Sequence, residues 1–143
     1  MPHALVGTWK LLSCEHTFDD GSRWLPFGER PSGRLVYAPS GHMMVMLMRR
    51  GRKPAGSGQI FDAKASERAA AADGFLAYSG RCELDRGRVV HHVDLSLFPN
   101  WVGTAQMRTY RLKGDRVTFE TRRFLARGRY QTAALTWKRE KSA

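Results

Sequence analysis

Leu5 to Phe18 reads LVGTWKLLSCEHTF, and the side chains in it alternate with a period of two. Trp9, Leu11 and Ser13 share one face and Lys10 lies on the other, because successive residues of a strand point to opposite sides. The stretch is predicted as a long first strand, closed off by the turn residues DDGS (Asp19–Ser22). The same period runs on through the chain. A short extended run, Arg34–Ala38, is turned by APSG into HMMVMLM (His42–Met48). After a glycine-rich segment comes one helix, roughly Ala63 to Leu76, with Asp62 as its cap and SERAAAAD as helix-forming material. Then follow FLAYSGRCELD, RVVHHVDLSLF, TAQMRTYRLK, VTFETRR and TAALTWKRE, separated by DRG, PNWVG and KGDR. Val117, Phe119 and Thr121 share a face, as do Ala133, Leu135 and Trp137.

About eight strands joined by tight turns, with one short helix, make an all-β, mostly antiparallel protein. Closure into an eight-stranded barrel removes the exposed edges that an open sheet would leave. Such a bore holds packed side chains or one small ligand. The 143 residues fit a single domain, 1–143, with no internal repeat and no linker. Two cysteines, Cys14 and Cys82, are too few for a disulfide framework and read as small buried hydrophobes. MPHALVGTW lacks the pattern of a signal peptide and no segment reads as a membrane span, so a cytoplasmic location is expected. The formal charge of +11 comes from arginines scattered from Arg23 to Arg139. They fall mainly at strand ends and turns rather than on one element interleaved with exposed aromatics, which disfavours nucleic-acid binding.

The opening Gly7–Thr8–Trp9 resembles the Gly-x-Trp element of lipocalins. Its combination with PFG (Pro26–Gly28), YAPSGHM (Tyr37–Met43) and HHVDLSLFPNWVGTAQMR (His91–Arg108) is similar to bacterial and fungal lipocalin-like domain proteins. The resemblance covers nearly the whole chain apart from the helix and Phe124–Gln131. It implies a lipocalin-like barrel in which a basic residue near the last strand, Arg139 or less favourably Lys138, packs over Trp9. It also implies a small-molecule binder, with some related barrels serving secondary metabolism on polyketide-like compounds.

The chemistry concentrates in VVHHVDLSLFPNW, Val89–Trp101. His91 and His92 face opposite ways on a regular strand, so they do not form a metal pair, and no metal or cofactor is expected. His92, Asp94 and Ser96 share one face; as a row they lack the bridging geometry of a nucleophilic triad. Gln106, Arg108 and Tyr110 form a similar mixed row on the next strand. If both rows point inward, they make a polar wall able to hold a carboxylate, enolate or phenol. If they point outward, His91 alone is inside, and a one-residue slip or bulge reverses the choice. The reading favours His92 toward the ligand, with His91 as the alternative.

Tyr37 and Tyr78 are candidates for hydroxyl donors, Trp101 for a loop ring that plugs the closed end or guards the mouth, and Met44 and Met46 for an adaptable apolar lining. The expected function is binding of a small, mostly apolar ligand with a polar or anionic head. The alternative is a cyclase, isomerase or dehydratase on a polyketide-like or aromatic compound, with His92, Asp94 and Arg108 as catalytic residues. A third class is a barrel filled by its own side chains. Both faces of HMMVMLM are apolar, so the helix or a second subunit must cover the outer one, and a homodimer is the expectation.

Overall fold

The computed structural model describes residues 2–143. Its strands are β1 (Gly7–Phe18), β2 (Arg23–Trp24), β3 (Ser32–Tyr37), β4 (His42–Met48), β5 (Phe75–Leu84), β6 (Arg88–Ser96), β7 (Ala105–Lys113), β8 (Arg116–Glu120), β9 (Phe124–Ala126) and β10 (Arg129–Arg139). One helix, α1 (Ala65–Asp73), stands between β4 and β5. The sheet runs β1-β3-β4-β5-β6-β7-β8-β10, and β10 pairs back onto β1, so eight antiparallel strands close a barrel. The two-residue β2 and three-residue β9 extend it on β1 and β10. Closure leaves the long strands without an exposed edge.

The inner faces of β1, β3, β4, β8 and β10 build the core: Trp9, Leu11, Leu35, Tyr37, Met43, Val45, Leu47, Val117, Phe119 and Trp137 are all buried. One end is sealed by Leu5 beneath Trp9, whose indole N–H donates to the Leu5 carbonyl at 2.9 Å. The Arg139 guanidinium lies 4.2 Å over the Trp9 ring and donates to the Val6 and Ala4 carbonyls. The sequence expectation of a base over Trp9 therefore falls on Arg139. Gly7 makes room for it: its φ is +139°, and a Cβ there would stand 2.7 Å from Arg139 Nη1.

Two irregularities set which residues point inward. Between Leu11 and Ser13 the register with β10 shifts by one, leaving Leu12 as the extra residue. Trp9 and Leu11 are inside as the alternation predicts, but beyond the bulge Cys14 and His16, not Ser13, take the inner face. A second shift lies between β5 and β6: Ser79 pairs with Leu95 while Gly80 pairs with Val93, so Asp94 is the extra residue. Gly80 is required there, since a Cβ would fall 1.8 Å from the His92 carbonyl oxygen.

The helix is shorter than its sequence suggests. It starts at Ala65 after Lys64, whose N–H donates to Glu67, and Asp62 belongs to a preceding 3-10 turn. None of its residues is buried, and it touches the barrel at β5. It therefore leaves the outer row of β4 uncovered, and Met44 remains 57% exposed.

Candidate functional site

The inner face of β5, β6 and β7 differs from the rest of the bore. On β1, β3 and β4 the inward Trp9, Leu11, Leu35, Tyr37, Met43, Val45 and Leu47 are buried and mostly apolar, whereas Tyr78, Ser96, Gln106 and Arg108 are polar and only half-buried. The wall is therefore accessible where β6 runs into the 3-10 turn Pro99–Trp101. Trp101 stands edge-on to Tyr78 with ring centroids 5.9 Å apart, and Phe98 stands edge-on to Trp101 at 5.6 Å. These rings flank the accessible end, not the closed one.

His91 is the centre of the polar wall. It is 5% exposed, and both ring nitrogens are engaged: Nε2 with the Tyr37 hydroxyl and Nδ1 with the Tyr78 hydroxyl, each at 2.7 Å. Burial, reinforced by the charges of Arg108 and His92, pushes its pKa down to about 3, so the imidazole is neutral at physiological pH. Burial also raises both tyrosines, Tyr37 strongly, so they remain protonated. Arg108 lies beside this trio, on the position paired with Val89, and its charge acts on all three groups. It donates from Nη2 to Gln106 Oε1 at 2.9 Å and from Nη1 to the Met107 carbonyl at 3.0 Å. No carboxylate pairs with it among the described residues.

Several expectations are corrected here. His92 faces outward, against Glu83 on the barrel surface, and Asp94 is exposed at the bulge. His91 takes the inner position instead. Ser96 still shares the inner face with Tyr78, because the extra residue at Asp94 reverses the phase between His92 and Ser96. No single face therefore carries His92, Asp94 and Ser96 together. Met44 and Met46 also point outward, while Met43, Val45 and Leu47 fill the core. With Val36, Ala38, Ser79 and Leu95, Met44 borders an external hollow of about 220 Å³. Gln106, Arg108 and Tyr110 do face inward as one row, but they divide the bore. Tyr110 belongs to the closed end, where its hydroxyl donates to the Asp85 carbonyl at 2.6 Å, near His3.

His16 is an inner-face residue that simple strand alternation does not mark. It is half-buried on the inner face beyond the first bulge, bonded to the buried Gln131 at 2.7 Å and flanked edge-on by Trp24 and Phe124. The alternation projected straight through Leu12 put it on the same side as Leu12 and Lys10, outside. The inner positions Cys14 and His16 emerge only when a bulge at Leu12 is allowed, whereas Gln131 continues the unbroken row of Ala133, Leu135 and Trp137.

A family model described as Lipocalin-like domain matches residues 6–140. This chain belongs to the lipocalin-like domain family. Among curated proteins, the lipocalin-like chain is similar to the 4'-hydroxy-3'-methoxypropiophenone carrier protein ppsC of Aspergillus oryzae. The two are 36% identical over 107 residues, covering 68% of this chain and 96% of the relative. No solved structure matches. No helix among the described residues of this lipocalin-like chain is long and apolar enough to cross a membrane.

Proposed function

We propose that this lipocalin-like barrel carries a small, mostly apolar ligand with a polar or anionic head, in the service of secondary metabolism. The observation that supports it is Arg108: an inward-facing cation without a carboxylate partner among the described residues, set beside Tyr78 and a neutral His91. A partly desolvated charge without an ionic partner is costly, and a guest with a negative or strongly accepting oxygen offsets that cost. The apolar body of such a guest would lie against the ring of Trp101 and the core side chains around Leu76. The relative's ligand, a methoxyphenol with an aryl ketone, has this make-up of apolar ring and polar ends.

Binding is preferred to turnover. A cyclase, isomerase or dehydratase working by acid–base chemistry needs a group that takes and returns a proton near neutrality. His91 is held neutral down to about pH 3, and His92 lies outside the bore. Two measurements test the proposal together: native mass spectrometry of protein purified from its own host, and calorimetric titration with 4'-hydroxy-3'-methoxypropiophenone. One small molecule retained per chain, or saturable one-to-one binding of that ketone, is the expected result. Protein that retains nothing and gives no binding heat would remove the carrier reading.

A further inference from the structure

Three polar hydrogens meet two contacts at the Tyr37–His91–Tyr78 trio. Each tyrosine brings one O–H and a neutral imidazole brings one N–H, yet there are only two oxygen–nitrogen contacts. One nitrogen donates and the other accepts, so one tyrosine must accept from His91 and send its own proton elsewhere. Tyr37 is 1% exposed and its hydroxyl has no second partner among the described residues. Accepting from His91 would leave its proton buried without an acceptor, an arrangement native interiors avoid. Tyr37 therefore donates to Nε2, His91 donates from Nδ1 to Tyr78, and the free proton belongs to Tyr78. That side chain is the half-buried one, next to Trp101. Beside it, Arg108 uses two of its five N–H groups on Gln106 and Met107, and keeps the rest.

We propose that Tyr78 and Arg108 form an oxyanion-selective head-group subsite, in which the outward O–H of Tyr78 and the unused N–H groups of Arg108 favour the ionised form of an acidic phenol or enol over the neutral one. The proposal rests on the carrier reading and gives it a ligand class: compounds whose head oxygen ionises near neutrality. The polar and titratable groups on the inner face of β3, β5, β6 and β7 around this head are Tyr37, Tyr78, His91, Ser96, Gln106 and Arg108, with Cys82 and Tyr110 farther toward the closed end and no carboxylate among them to repel an anion. His91 and Tyr37 act here as positioning residues. They hold Tyr78 as an acceptor on one side so that it donates on the other.

The test uses two probes and one spectrum. 4-Nitrophenol reports its own ionisation by colour, and N-phenyl-1-naphthylamine is an uncharged apolar probe that reports entry to the bore. Wild-type protein is expected to bind both, and to bind nitrophenolate at least tenfold tighter than nitrophenol, so that the bound probe ionises at lower pH than the free one. Arg108→Met should abolish that preference, Arg108→Lys should restore much of it, and Tyr78→Phe should weaken phenolate binding several-fold. Nitrogen-15 spectra should show His91 protonated at Nδ1 and bare at Nε2 across neutral pH. Naphthylamine binding without a phenolate preference, a preference that survives Arg108→Met, or a proton on His91 Nε2 would each overturn the subsite while sparing the carrier reading. Wild-type protein that binds neither probe would overturn both.

Discussion

His91 couples the site to the stability of the whole chain. Its ordinary pKa of 6.5 applies in the unfolded chain, and burial lowers it to about 3 in the fold. Between those values the unfolded state binds the extra proton, so stability rises with pH; it is fully present above about 6.5 and is lost as pH falls toward 3. We expect a loss on the order of 1 kcal/mol per pH unit in that window. Urea midpoints from pH 7 to pH 4 should be visibly flatter for His91→Gln than for wild type, and parallel slopes would contradict the assignment. His16, also lowered by burial, adds a smaller contribution of the same sign in both proteins. Gly7 is the other residue where one atom decides the outcome. A Cβ there meets Arg139, and the backbone sits in the left-handed region, so Gly7→Ala should cost about 1–3 kcal/mol in urea unfolding.

The bulge between β5 and β6 decides what the bore contains. Gly80→Ala sets a methyl on the His92 carbonyl, and the two strands must part to accept it. A loss of about 3 kcal/mol or more is expected, together with weaker ligand binding, since Tyr78 and Ser96 lie just beyond the bulge. On β4 the contrast is between faces. Met43→Ala opens a cavity in the core and should cost about 2–5 kcal/mol, while Met44→Ala on the open face should change stability by no more than about 0.5 kcal/mol. Thermal denaturation of the two variants side by side distinguishes this register from the opposite one. Element types were legible because alternation, tight turns and one alanine-rich run mark strands and helix locally. The length of α1 was not, since β5 claims Phe75 and Leu76 for sheet pairing with Met48 and Leu47.

At the scale of the molecule, closure and charge act separately. Most of the basic excess is on the surface, some of it in pairs such as Arg123 with Asp19 and Arg129 with Asp20, and some stacked on rings such as Arg127 over Trp24. Arg108 instead turns into the bore. A guest that binds only the folded barrel raises stability by mass action, about 2.7 kcal/mol at a hundredfold excess over Kd. The melting temperature should accordingly rise with ketone concentration in wild type, and far less in Arg108→Met. An equal rise in both would place the guest outside the polar wall, for example in the hollow beside Met44 and Leu95.

The sequence alone determined the antiparallel barrel, the stack of a basic side chain on Trp9, and that Gln106, Arg108 and Tyr110 share one face of their strand. Each follows from alternation within one strand or from a family motif. The tertiary structure decided that His91 rather than His92 looks inward, that Met43 rather than Met44 is core, and that His16 joins the lining. A period of two fixes which residues share a face but not which face is inside, and its phase does not survive a bulge. The phase of β6 is set by where Gly80 lets β5 approach, and that of β1 by its pairing with β10, contacts made only when the barrel closes.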